Sequence, residues 1–284
     1  MRSTKVETNM YEDQYIAVND LTIRYQDSGG AGEVVLFTHG IGGSLEIWSE
    51  QISALAEHYR VIVWDLPGHG LSGFNQHYYH VAKFAQFAWA FLATLRIEKV
   101  NLAGNSMGAA ISIHMLGQQS TRVNKIALLN SASLGREAPL PFRLMNLPLL
   151  GSLMARPNQM AVDQQIDAIF LDSAAVSAQL KAVIKRNVMR QGAQQAFLAT
   201  LRNMTTCRGQ TSGLVNESQK ILAATKVPVL FIHGRQDAVI PCAHSQAAQP
   251  ITPHARLEIF ENCGHTPQVE APHKTNRLLT EFFA

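Results

Sequence analysis

Two unbroken runs of β-branched and aromatic residues, VVLFT at Val34–Thr38 and RVIVWD at Arg60–Asp65, constrain this chain more than any other feature. A strand with one wet face alternates apolar and polar residues, whereas a strand covered on both faces reads as a continuous apolar run. Between the two runs, Ile47–His58 places Ile47, Ile52, Leu55 and Ala56 at helical spacing. Buried strand, helix, buried strand predicts a doubly wound α/β sheet with helices on its faces. The alternation continues with a helix over Val81–Leu95, a strand at Val100–Ala103, a helix over Ser106–Gly117 and a strand at Lys125–Leu129. Ahead of it, Tyr15–Val18 and Leu21–Gln26 flank the turn pair Asn19-Asp20 and predict an antiparallel hairpin.

From Arg136 to Lys220 the pattern stops. No β-rich run occurs there, Met, Leu, Gln and Ala dominate, and helices are predicted at Val162–Leu171, Ala174–Arg190 and Ala193–Met204. Strands resume at Val229–His233 and Leu257–Phe260, before a closing helix at Lys274–Phe283. An interval of roughly 85 residues exceeds any ordinary loop. The expected organisation is therefore an α/β core in two parts, residues 1–135 and 223–284, interrupted by a helical cap over 136–222. Charge divides the same way: residues 136–226 hold 11 Lys or Arg against 5 Asp or Glu, and the remainder 13 against 16. Lys181, Lys185, Arg186 and Arg190 share one helical face opposite Leu180, Val183, Ile184 and Val188. A solvated face is the plain reading of those cations; attraction of an acidic substrate or an anionic membrane surface is the sharper one.

Composition narrows the function classes. With 46% hydrophobic and 16% charged residues over 284 positions, the chain is no disordered segment. A net charge of +3 is too small to indicate a nucleic-acid partner. Three cysteines without CxxC spacing, Cys207, Cys242 and Cys263, form neither a disulfide scaffold nor a thiolate zinc site and fit a reducing compartment. Met1–Asn9 is polar, without the apolar stretch of a signal peptide, and no run approaches a membrane span of about 18 apolar residues. A cytoplasmic protein acting on a small molecule, with no stable membrane insertion, is the expectation.

The chemistry is concentrated at strand ends. Gly104-Asn105-Ser106-Met107-Gly108 stands between a predicted strand and a predicted helix, where a tight turn lifts the Ser106 hydroxyl clear of the sheet. The glycines permit close packing, and the helix N-terminus with the Met107 N–H is aimed at developing negative charge. A serine needs a base. Of 11 histidines, His265 in Asn262-Cys263-Gly264-His265 follows the last strand and is placed to reach Ser106. Asp237, in Gly234-Arg235-Gln236-Asp237 on the same edge, would orient it. Glu261 sits too close to its strand end for that role, and Asn130 cannot carry the charge. His39-Gly40-Ile41-Gly42-Gly43-Ser44 would direct the Ile41 N–H to the same oxyanion as Met107. His39 and His233, each followed by glycine, are read as positioning backbone or bonding in the core; His69, His77 and His80 as structural or solvated; Asp65 as bracing neighbouring loops.

Together these motifs resemble the α/β-hydrolase superfamily. They fall in its chain order Ser…Asp…His and include the stretch Asp65–Ser72. The resemblance implies an eight-stranded, mostly parallel sheet with a helical cap after the sixth strand, a Ser106–His265–Asp237 triad, and no cofactor or metal. The nucleophile elbow is similar to that of the meta-cleavage-product hydrolases, which split carbon–carbon bonds, and Arg190 would then bind an acidic substrate. Thr266 stands where that group has tryptophan, Gly42-Gly43-Ser44 replaces its Gly-Pro-Gly loop, and Ala109 replaces a second glycine. The apolar cap segment Pro139–Met154 looks like a lining for a hydrophobic group, which favours a carboxylesterase or lipase-like enzyme. Thioester and amide cleavage use the same apparatus and stay open, as does a receptor or scaffold that keeps the fold without turnover.

Overall fold

Strand β3 (Val34–Thr38) has the boundaries its sequence predicts and lies inside the sheet that organises the molecule. This computed structural model describes residues 11–284; the polar segment Met1–Asn9, considered above for a signal peptide, lies outside the described residues. The other strands of that sheet are β1 (Gln14–Val18), β2 (Leu21–Asp27), β4 (Arg60–Trp64), β5 (Val100–Asn105), β6 (Val123–Leu129), β7 (Val229–Gly234) and β8 (Ala255–Phe260), and Thr205–Thr206 pairs with Gly209–Gln210 in a separate two-stranded ladder. All eight form one sheet in the order β1-β2-β4-β3-β5-β6-β7-β8. β2 runs against both its neighbours, and every other pairing in this sheet is parallel. The predicted hairpin forms: Val18 pairs with Leu21 across a turn whose Asn19 takes φ 51, a left-handed conformation that asparagine tolerates.

Alternate residues of each strand enter opposite faces. Leu36, Ile62, Trp64, Leu102 and Leu128 belong to the core under α2 (Val81–Thr94) and α3 (Met107–Gln118). Val35, Phe37, Val61, Val63 and Leu129 belong to a second core that includes residues of α1 (Ser49–Leu55) and α12 (Pro272–Phe283). Covering on both faces is the reason these strands read as continuous apolar runs. The stretch predicted as one helix at Ile47–His58 is divided into a 3₁₀ turn at Leu45–Trp48 and the shorter α1.

Between β6 and β7 the chain runs through α4 (Leu140–Leu144), α5 (Pro148–Met154), α6 (Gln159–Ile169), α7 (Ala178–Met189), α8 (Ala193–Met204) and α9 (Ser212–Ala224). Prolines in the first turns of α4 and α5 start two short helices where only an apolar segment was read. Val162, Ile166, Phe170 and Ile184 give α6 and α7 a small core of their own. α9 instead lies against α3, where Ser218 Oγ comes within 3.4 Å of His114 and a side chain at Gly117 would collide with Ile221. Helices α10 (Ala243–Ala248) and α11 (Pro267–Glu270) complete the second part of the core. No helix among the described residues is long and apolar enough to cross a membrane.

Candidate active site

β5 ends at Asn105 and α3 begins at Met107, which leaves Ser106 alone at the corner with φ 58 and ψ −118. That is a strained backbone for a residue with a side chain, and its surroundings must hold it. They do: the Ser106 N–H donates to the Leu129 carbonyl at 2.9 Å, and its own carbonyl accepts from Ala132 at 3.1 Å. The flanking glycines are required by contact. A Cβ on Gly108 would strike the Thr38 and His39 carbonyl oxygens at the end of β3, and one on Gly104 would strike the Gly108 backbone. The Met107 N–H opens α3, so no intrahelical acceptor reaches it.

The loop after β3 passes directly over this corner: a Cβ on Gly40 would sit 3.0 Å from Ser106 Cβ. His39 is wholly buried beneath it, donating from Nδ1 to the Gly40 carbonyl at 2.7 Å and accepting the Leu66 N–H at Nε2, 3.0 Å. Burial and the neighbouring His69 lower its pKa to about 3, so it stays neutral as a backbone brace. This is the positioning role read from the sequence.

On the adjoining strand ends, His265 Nδ1 lies 2.8 Å from Asp237 Oδ2. Asp237 is surrounded by donors: Val239 N–H at 2.7 Å, Ile240 N–H at 3.0 Å, Asn130 Nδ2 at 2.6 Å, and His233 Nε2 at 3.3 Å. Burial alone would raise its pKa. The His265 ring beside it and bonds from His233, His265 and Asn130 reverse that and hold the carboxylate well below its ordinary range. An ionised acceptor fixes the proton on His265 Nδ1 and leaves the Nε2 lone pair as the available base. The hydrogen bonds join His265 to Asp237 and, through its carbonyl, to Asn105 Nδ2 at 3.0 Å, one residue before Ser106; they do not join it to the Ser106 hydroxyl itself.

Asp65 braces loops as expected. Fully buried, it accepts Leu45 N–H and Leu71 N–H at 2.7 Å each and Arg24 Nη1 at 3.2 Å. Burial and the Glu46 carboxylate nearby push it up to about 6. Glu261 pairs with Arg235 at the surface, away from His265. His69 is buried, with Nδ1 3.0 Å from the Pro67 carbonyl, while His77 and His80 are exposed.

One cavity borders the corner, and a second touches the loop that passes over it. The first is lined by Ser106 together with Ile41, Met107, Phe142, Leu201, Met204 and Val239, an apolar wall to which α4 and α8 contribute Phe142, Leu201 and Met204. Only the start of Pro139–Met154 lines it; Leu147, Leu149 and Leu153 are exposed, Leu149 by 90%. The second, about 250 Å³, touches Gly42, His69, Asn187 and Arg190. There the Arg190 guanidinium donates to the Gly70 carbonyl at 2.5 Å and lies over the Phe74 ring. The cationic face of α7 is thus only partly solvated: Lys185 is exposed, but Arg186 reaches Glu46 at 2.9 Å and Asn187 donates to Ser44 Oγ at 2.8 Å. Among the described residues no group of three or more His, Cys, Asp or Glu is placed to hold a metal ion.

One cavity brings Ile41, Ser106 and Met107 together and a hydrogen bond joins Asp237 to His265, while the groups that hold them were not singled out in the sequence. Asn130, set aside because it is neutral, is the amide that donates to Asp237; its position after β6, on the same edge, was the available signal. Comparison with known proteins agrees with this architecture. A family model described as alpha/beta hydrolase fold matches residues 33–272. The dihydrolipoyllysine-residue acetyltransferase component of the acetoin cleaving system of Cupriavidus necator is 29% identical over 266 residues, 94% of this chain and 67% of that one. A 2-hydroxy-6-oxononadienedioate/2-hydroxy-6-oxononatrienedioate hydrolase of a Pseudomonas species is 28% identical over 272 residues, 93% of this chain and 92% of that one. The crystal structure of a bacterial membrane phospholipase A superposes with a TM-score of 0.78 at 25% identity, over 96% of this chain and 86% of the other. The chain belongs to the alpha/beta hydrolase fold family.

Proposed function

We propose that this protein is a serine hydrolase that cleaves a carboxylic ester bearing a hydrophobic acyl or alcohol group. The observation that carries the proposal is the Asp237–His265 pair at 2.8 Å beside a strained Ser106 that faces an apolar cavity. Ser106 Oγ attacks the ester carbonyl carbon as His265 Nε2 takes its proton, and Asp237 stabilises the imidazolium. The carbonyl oxygen becomes an anion held by the Ile41 N–H of the loop after β3 and the Met107 N–H at the helix N-terminus. Collapse expels the alcohol with the proton from His265 and leaves an acyl-serine. Water, deprotonated by the same imidazole, then releases the acid and restores Ser106. The membrane phospholipase A, an ester hydrolase by its name, supports this reading.

One observation favours a second reading. Arg190 borders a cavity that also touches Gly42 of the loop over Ser106, so a substrate carboxylate there would displace the Gly70 carbonyl from the guanidinium. The Pseudomonas relative named for oxononadienedioate hydrolysis supports a carbon–carbon hydrolase of that kind. Turnover of a panel of p-nitrophenyl esters and of a vinylogous diketo acid separates the two. Ester turnover abolished by Ser106→Ala, without turnover of the diketo acid, supports the first; the reverse preference overturns it in favour of the second.

A further inference from the structure

We infer that Glu270 is a positioning residue for the His265 base and ties that base to the inserted helices, an inference that rests on the triad reading above. α11 begins immediately after the histidine loop, and its Glu270 folds back onto that loop. Oε2 accepts the Gly264 N–H at 3.0 Å, and Oε1 accepts the Thr266 N–H at 2.9 Å. The N–H groups of the residues on either side of His265 therefore end on one carboxylate. The same Oε2 accepts the Leu171 N–H at 2.8 Å, just beyond the C-terminus of α6. Thr266 Oγ1 lies 3.1 Å from both Glu270 Oε1 and the Ile169 carbonyl, sharing its proton between the histidine loop and the inserted layer.

The local sequence is built around this carboxylate. A Cβ at Gly264 would lie 3.0 and 3.1 Å from its two oxygens and 2.9 Å from the Leu171 nitrogen, leaving no room for a side chain beside the histidine. Thr266-Pro267 followed by Glu270 is a helix-start pattern, with proline at the first helical position and an acid in the first turn. A cap alone would need no bond to Gly264 or Leu171. Four donors from two sides of the catalytic histidine and from another layer fix where the imidazole stands relative to Ser106, and misplacement of about 1 Å costs about 100-fold in rate.

Glu270→Gln preserves volume but presents one amide group that cannot accept from N–H donors, so one side of the clamp is lost. Steady-state hydrolysis of p-nitrophenyl butyrate and the phosphonylation of Ser106 by a p-nitrophenyl phosphonate are measured on the full chain. The expected result is a 10- to 100-fold lower kcat with KM within threefold, an equal fall in phosphonylation rate at full labelling amplitude, and an unchanged melting curve. Thr266→Val should lose a smaller, three- to tenfold factor that Thr266→Ser restores, which keeps the test open if Glu270→Gln folds poorly. A kcat within twofold of the parent in folded Glu270→Gln overturns the inference, as does a reduced labelling amplitude at unchanged rate, the mark of a merely structural role. Ser106→Ala separates the two claims: if it still turns over the ester, the triad reading itself has failed.

Discussion

Arg186 of α7 forms an ion pair of 2.9 Å with Glu46, whose 3₁₀ turn follows the loop that passes over Ser106. Ser44 Oγ, in the same turn, lies 2.5 Å from the other Glu46 oxygen and accepts from Asn187 Nδ2 at 2.8 Å. One turn of an inserted helix thus grips the segment carrying Ile41. With Glu270 on the far side, both ends of the proposed machinery are fastened to the inserted layer.

That ion pair predicts a pH dependence of stability. Burial would raise the Glu46 pKa, but the hydrogen bond from Arg186 and the charge of Arg24 bring it down to about 2, against 4.5 for the free side chain. A carboxylate depressed in the folded state contributes stability above its unfolded pKa and loses it as pH falls toward the folded value. Arg186→Gln should therefore cost about 1 kcal/mol near neutrality, and the gap from the parent should narrow below pH 4.5. Urea unfolding at pH 7 and pH 3 measures it. A gap that stays constant between those two values would show that the pair contributes nothing through Glu46 ionisation.

Asp237→Asn keeps the shape of the acid and removes its charge. The amide must turn its oxygen toward the Val239 and Ile240 N–H groups, now at 2.7 and 3.0 Å from Oδ1, which points its NH₂ at His265. The imidazole then flips to the tautomer that cannot accept the serine proton. A fall of about 10⁴-fold in kcat is expected, with KM little changed. A loss of less than tenfold on p-nitrophenyl butyrate would mean that His265 does not depend on this partner.

How much of this was legible follows from sequence distance. β3 and α8 have the boundaries their sequence predicts, because four consecutive apolar residues closed by a β-branched threonine and a clean helical repeat each declare themselves locally. α9 was not assigned: Ser212–Ala224 mixes Leu214, Val215, Ile221 and Leu222 with polar residues, and its packing partner Gly117 is distant in the chain. The three proposed reactive residues could be singled out because each follows a strand and has a glycine within three residues. Their holders, among them Asn130, Glu46, Arg186 and Glu270, were not, because no local pattern announces a pairing made between layers.

The elbow glycine offers a paired test of packing. Gly108→Ala would drive a methyl group into the Thr38 and His39 carbonyls, backbone atoms that cannot swing aside. A destabilisation of about 2–3 kcal/mol is expected, together with loss of ester turnover. Gly213→Ala is the control: nothing lies within 4 Å of its Cβ position in α9, and helix propensity should make it neutral or stabilising by about 0.5 kcal/mol. Thermal unfolding of both variants decides it. Equal melting temperatures would mean that the corner between β5 and α3 is looser than these contacts require.

The apolar cavity sets a length preference. Burying one methylene contributes about 0.8 kcal/mol, which is about fourfold in kcat/KM per carbon if the acyl chain enters the cavity. A series of p-nitrophenyl esters from acetate to decanoate should climb by up to that factor per carbon and then level off when the space beside Ser106 is full. Phe142 is half-buried at that wall, edge-on to Phe197 at 6.2 Å between centroids. Phe142→Ala should move the plateau to longer chains while leaving acetate turnover within a few-fold of the parent, since the ring touches none of the groups proposed to handle the proton. A flat profile in the parent, or a plateau that Phe142→Ala leaves in place, would mean that the hydrophobic group of the substrate lies elsewhere.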